Sequence, residues 1–245
     1  MKNQYVGDIG DYGKYGLLRF LANKGIKIGV NWYLTENDLT NDGNKTDYLK
    51  DDKEKCYDPD LYEILKQVAG DKNKKVTWLE ERDIIPNAIY YNYILDFKGK
   101  NPQERKAERL AWNKNACIKL KNVELVFADP DNGSTDDEKS TRINGEKYVA
   151  LSELEKYYCD GKDVVYYCHK ARRKQADWET KMREMESFGA KVIVLTFHRG
   201  TQRSYIFGVH PENFDKYDML IKEFENSKWG TVKIGNKKAP FSREI

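Results

Sequence analysis

The sequence predicts an α/β protein built on a mostly parallel, Rossmann-like sheet flanked by helices, and two observations carry that expectation. Segments rich in β-branched and aromatic residues alternate with amphipathic helical segments, the order that gives parallel strands joined by helical crossovers. The apolar run from Val123 to Ala128 stops at Asp129-Pro130-Asp131-Asn132-Gly133. It reads as a buried strand ending in a polar turn, the place where open α/β sheets bind ligands.

The elements follow in order. Gly13 to Lys24 carries Leu17, Leu18, Phe20 and Leu21 at helical spacing and closes on Gly25, a C-terminal helix signal. Ile26 to Leu34 is rich in strand formers, and Thr35 to Lys55, with Asn41-Asp42-Gly43-Asn44, is a turn-rich loop facing the same end. Pro59 to Gly70 reads as a helix capped by Asp58, with Leu61, Ile64, Leu65 and Val68 on one stripe. Val76 to Leu79 reads as a short strand, and Arg105 to Leu120 as a helix offering Leu110, Trp112, Ala116, Cys117 and Leu120 for packing. After the Asp129 strand come a helix near Ser152 to Tyr158 with Ser152 as its cap, a strand from Asp163 to Cys168, and a charged helix from Gln175 to Phe188 ending at Gly189. Lys191 to Phe197 and Ser204 to Val209 are the last two strands, expected to pair antiparallel, and the tail from Lys228 forms a surface strand or arm.

A chain of 245 residues, 39% hydrophobic, can bury one sizeable core, so residues 1–245 read as a single domain. Charged residues make up 34% but nearly cancel to a formal +3, so only local clustering can argue for a nucleic-acid partner. The four cysteines show no C-x-x-C and no histidine pair at zinc-finger spacing, which argues against a structural zinc site. With no apolar signal core after Met1 and no run of about 18 apolar residues, the expectation is a cytoplasmic protein with reduced thiols and no membrane partner.

Four segments can carry chemistry. Asp129, Asp131 and Asn132 close a buried strand, and Asp129 and Asp131, with Glu138 a few residues on, can chelate Mg²⁺ or Mn²⁺. Alternatively, one carboxylate accepts a proton or an amino hydrogen bond. The plain alternative is a tight Asp-Asn-Gly turn. From Gln4 to Gly16, Tyr5, Asp8, Asp11 and Lys14 lie among glycines that permit close backbone approach, though no P-loop or dinucleotide fingerprint is present. His169 opens a basic run with Lys170, Arg172, Arg173 and Lys174, a phosphate-contacting edge or a solvated helix start. His198 to Arg203 reads as an exposed hairpin loop able to contact a phosphate.

Together, Gly7-Asp8 through Arg19, Val30 to Leu34, Asn41-Asp42-Gly43, Asp58-Pro59 and Asp129 through Gly133 resemble the motifs of a bacterial family with no assigned activity. More distantly, the order of the Lys14 helix, the Asn41-Asp42-Gly43 loop and the Asp129-Pro130 strand end is similar to that of the large-subunit ribosomal-RNA adenine-N6 methyltransferases. That resemblance implies a methyltransferase-like sheet and S-adenosylmethionine facing Asp8, Asp11, Asn41, Asp42 and Gly43. It also implies an Asp129 that accepts a hydrogen bond from the target amino group. This chain departs from the pattern with Asp131 and Asn132 in place of a proline and a stacking aromatic, and with no Gly-x-Gly after its first strand.

Three functions are therefore expected to compete. The first is a nucleic-acid-modifying enzyme on a methyltransferase-like scaffold, with Asp129, Asp131, Asn132 and His169 catalytic and with Tyr5, Lys14, Lys139, Arg172 and Arg173 on the substrate. The second is a divalent-metal nuclease or phosphoesterase using Asp129, Asp131 and Glu138. The third is a non-catalytic module that binds nucleic acid or nucleotide.

Overall fold

A computed structural model describes residues 1–38, 43, 45–71 and 73–245. Helix α1 (Ile9–Asn23) begins four residues earlier than its apolar spacing suggests, because the Asp8 carboxylate accepts the Asp11 N–H and caps it. Gly10, Gly13 and Gly16 are therefore helical residues rather than a glycine-rich turn. A Cβ at Gly13 would lie 2.7 Å from the Phe197 ring, and one at Gly16 would collide with the Trp229 ring, so the missing side chains let α1 sit hard against its neighbours. After β1 (Ile28–Asn31), helix α2 (Pro59–Ala69) is capped by Asp58 with proline in its first turn, as its sequence predicts.

Val76 to Leu79, expected as a strand, instead opens helix α3 (Val76–Glu81), with the Val76 N–H donating to Asn3 Oδ1. A four-residue apolar run has too little period to separate the two states, and burial of Val76 and Leu79 on one helical face decides it. The strand of this region is β2 (Ile89–Tyr91). Helix α4 (Pro102–Lys119) starts at an Asn101–Glu104 capping box and buries Trp112 and Ala116, while Leu110 stays exposed. Next come β3 (Leu125–Ala128), the short β4 (Ser134–Thr135), α5 (Asp137–Ser140), β5 (Val149–Ala150) and α6 (Leu151–Cys159). The residue preceding α6 is Ala150, not Ser152, and Glu153 accepts its N–H; Ser152 instead donates to Asp137.

Strand β6 (Asp163–Cys168) leads to α7 (Gln175–Met182), and the expected single helix to Phe188 breaks into a tighter turn at Glu184–Phe188 before Gly189. The chain then forms β7 (Lys191–Phe197), β8 (Arg203–Val209), α8 (Phe214–Asn226), α9 (Lys228–Thr231) and β9 (Phe241–Arg243). The seven-stranded sheet runs β2-β1-β3-β6-β8-β7-β9. The first four strands are parallel, and β8 is antiparallel to both β6 and β7. The tail is an edge strand, with β9 pairing antiparallel to β7.

Alternation along the strands splits the core into two layers. Leu125, Phe127, Val165 and Phe207 face α1, α2 and α8, whereas Val126, Ala128, Val164 and Ile206 face α4, α6 and α7. This is a Rossmann-like α/β fold with helices on both faces. Among the described residues no helix is long and apolar enough to cross a membrane.

Candidate functional site

Because β1, β3 and β6 are parallel, their carboxyl ends open on one edge of the sheet. Antiparallel pairing of Cys168 with Ser204 brings the start of β8 to that same edge. A cleft of about 500 Å³ lies there, lined by the Tyr5 to Lys14 segment, Asp129 to Asn132, Tyr167, His169, Arg203 and Tyr205. Tyr5, Asp8, Asp11, Lys14, Gly43, Asp129, Asp131, Asn132 and His169 all border it. Asn41, Asp42 and Asn44 lie outside the described residues.

Lys14 is the hub. Its Nζ lies 2.7 Å from Asp11 Oδ1 and 2.7 Å from Asp129 Oδ2, with all three side chains buried. It also sits over the Tyr15 and Trp32 rings, 4.9 and 5.2 Å from their centroids, a favourable site for a cation. Burial alone would lower the Lys14 pKa, but Asp11 and Asp129 outweigh it and hold it above the ordinary lysine value. Burial raises the pKa of both Asp129 and Asp11, and Lys14 only partly offsets that. The directions are compatible, since one ammonium serves two buried carboxylates.

Around this hub the charges are paired. Asp11 Oδ2 accepts the Gly7 N–H, Asp8 Oδ2 accepts from Arg203 Nη2 at 3.0 Å, and the Met1 ammonium lies 2.6 Å from Asp131 Oδ1 and donates to the Asp129 and Tyr33 carbonyls. Three polar atoms at the cleft have no hydrogen-bond partner among the described residues: Asp131 Oδ2, His169 Nδ1 and the Tyr205 hydroxyl. The His169 pKa is lowered by burial and by Arg173 and Arg203, so the imidazole is neutral at neutral pH.

The metal set does not assemble. Glu138 is exposed on α5 and pairs with Arg142, away from Asp129 and Asp131, and no group of three or more potential ligands clusters among the described residues. The Lys14 ammonium lies where a cation bridging Asp11 and Asp129 would sit.

The end of β1 does not offer the close backbone approach that a nucleoside cofactor uses. Trp32 and Tyr33 follow Asn31 directly and are fully buried. Trp32 stacks on Tyr90 and donates its indole N–H to Glu80; Tyr33 donates its hydroxyl to Glu153. Tyr33 takes a positive φ of 44°, so the chain does turn sharply here, but around an aromatic residue rather than glycine.

Lys139 and Arg173 line a second pocket beside the cleft rather than the cleft itself, and Arg172 is exposed and borders neither. The His198 to Arg203 segment is not a simple exposed loop: Arg199 is buried against Glu54 and Tyr57, and Arg203 against Asp8. Sequence reasoning missed Lys2, Lys45, Lys147 and Tyr205 as cleft residues and read Arg203 only as part of a hairpin loop. The signal for Tyr205 was strand alternation, which puts Arg203, Tyr205 and Phe207 on one face of β8.

The fold and cleft define a Rossmann-like α/β protein with a polar, aromatic-lined cavity at the carboxyl ends of its parallel strands. Compared with known proteins, the chain matches no family model and no curated protein sequence.

Proposed function

We propose that this protein is a nucleic-acid-modifying enzyme that binds a nucleotide unit in the Lys14–Asp129 cleft. The observation that carries the reading is the set of unpartnered buried atoms there: Asp131 Oδ2, His169 Nδ1 and the Tyr205 hydroxyl. Folded proteins rarely leave such groups without a partner, and a base edge carries the donors and acceptors to meet them. The rings of Tyr5, Tyr167 and His169 border the cleft and can stack on a base, and Lys45 and Lys147 can meet a phosphate. Lys14 fixes one oxygen of Asp129 and leaves the carboxylate oriented to accept from an amino or hydroxyl group on the substrate. His169, neutral at neutral pH, takes the proton that such a group gives up. The strand order is compatible with a methyltransferase-like scaffold, but the packed end of β1 lacks the close backbone approach by which such a sheet receives S-adenosylmethionine.

Thermal unfolding with a series of nucleotides and short oligonucleotides tests the reading. A ligand at about 100 times its dissociation constant adds about 2.7 kcal/mol, or roughly 5–10 °C in Tm for a chain of this size. No shift with any of them refutes it. S-adenosylmethionine, Mg²⁺ and Mn²⁺ belong in the same series: a shift with the methyl donor would restore the methyl-transfer reading, and one with a metal alone the nuclease reading.

A further inference from the structure

Beside the cleft lies a second pocket of about 480 Å³, lined by Lys139, Arg142, Arg173 and Lys181; Lys139 pairs with Asp136, Arg142 with Glu138 and Lys181 with Glu184. The two cavities share a wall. The Asn132 N–H donates to the Lys147 carbonyl, and the Val149 N–H to the Gly133 carbonyl, so Asn132 and Lys147 face the cleft while Ser134 and Tyr148 face the pocket. Asn132 and Ser134 are two residues apart, at most about 7 Å along the chain, and Gly133 between them turns at a φ of 83°. Adjoining units of one nucleic-acid strand can span that separation.

The pocket is built rather than incidental. The buried Arg109, ion-paired to Glu153, donates to the carbonyls of Ser140, Gly145 and Tyr148 and so fixes its far wall. Lys181 is held by the Ser134 carbonyl and by Glu184. Arg173 is the member whose charge no carboxylate meets among the described residues; its Nη1 donates to the His169 carbonyl at 2.7 Å. That bond ties the pocket directly to the residue that takes the proton in the cleft.

We propose that this pocket holds the backbone phosphate next to the nucleotide in the cleft, so that the substrate is a single-stranded nucleic acid and not a free nucleotide. The inference rests on the function proposed above. A base that enters the cleft must leave its stack, which a single strand permits at least cost. A phosphate in the pocket gains Arg173 as a bidentate, uncompensated partner.

The test compares binding of adenosine monophosphate, a ten-nucleotide single strand and its duplex as salt is varied, in the native protein and in two variants. Lys139→Gln/Arg142→Gln alters only exposed pairs on and just after α5, and a triple variant adds Arg173→Gln. The expected result is tighter binding of the single strand than of the mononucleotide or duplex. Removing one cation that meets a phosphate should lower the steepness of the log–log salt dependence by about 0.7. The surface variant should thus lose about 1.4 in its slope for the single strand. If the mononucleotide binds but the strand binds no tighter, or the slope stays the same in both variants, the pocket is not a phosphate site although the cleft reading stands. Equal or tighter binding of the duplex overturns the single-strand assignment. If neither mononucleotide nor strand binds, both proposals fall.

Discussion

Replacing Lys14 with methionine leaves a side chain of similar length but removes the cation that touches both Asp11 and Asp129. The Nζ is 2.7 Å from each carboxylate and only 5% of the Lys14 side chain is exposed, so neither acid gains much water in exchange. Removing one partner of a buried pair costs about 3–5 kcal/mol because the remaining charge is uncompensated. Against a total stability of about 5–15 kcal/mol this is a large fraction, equivalent to roughly 6–20 °C in Tm. The pH dependence gives the sign. Burial already raises the pKa of both acids, and loss of Lys14 raises them further. A carboxylate whose folded pKa lies above its unfolded value of about 3.9 stabilises the fold when protonated, and that contribution is lost as pH rises through the folded value. Urea unfolding at pH 7 and in acid, near the unfolded carboxylate pKa, should therefore show a deficit that shrinks at the lower pH. Adding Asp129→Asn to Lys14→Met should recover part of the loss in a double-mutant cycle. A deficit under about 1 kcal/mol, well below the cost of a broken buried pair, or one independent of pH, would refute the account of Lys14 as the neutralising hub.

Asp129→Asn alone should keep the protein folded, costing about 1.5–3 kcal/mol for a lost charged hydrogen bond, while abolishing turnover on the identified substrate; misfolding would assign Asp129 a structural role. His169→Ala should lower kcat and also weaken binding, since its ring and Nδ1 border the cleft, and the imidazole should titrate by NMR below the ordinary value of about 6.5. Because its folded pKa is lowered, the stability His169 contributes is full above the unfolded value and declines as pH falls through the window between the two; an upward-shifted resonance would contradict this. Gly16→Ala should lose about 1–2 kcal/mol in urea unfolding, since overpacking against Trp229 costs about 1–3 kcal/mol and exceeds the helix-propensity gain of up to about 1; a stabilised variant would mean that Trp229 moves aside freely. Arg109→Met should cost about 3–5 kcal/mol by stranding the buried Glu153, a loss readable as a lowered Tm.

Much of the frame is legible in the sequence because local chemistry and tertiary structure agree. Asp58-Pro59 starts a helix where its cap and proline say it should, and the Asp129 strand ends at its acid and proline. Where they disagree the reading slips. Val76 to Leu79 has strand-forming residues, but only a helix buries Val76 and Leu79 together; Ile89 to Tyr91 is the true strand, three residues too short to show an alternation of its own. At the site, residue types point to the right loops but not to their partners. Nothing near Lys14 in sequence names Asp129, 115 residues away, and nothing near Asp8 names Arg203, 195 residues away. Such pairs are set by strand order, and in particular by β8 lying between β6 and β7.

The inserted position of β8 also determines when the cleft comes into being. At about 5–20 residues per second, Arg203 leaves the ribosome roughly 10–40 s after Asp8. Through that interval the first helix has its acids but not its last guanidinium. A chain released before β8 pairs with β6 has no closed rim, so a truncated product carries Asp8, Lys14 and Asp129 without forming the cavity they border. Binding competence thus waits for β8, and recovery of ligand binding during refolding is a reporter of β8 entering the sheet.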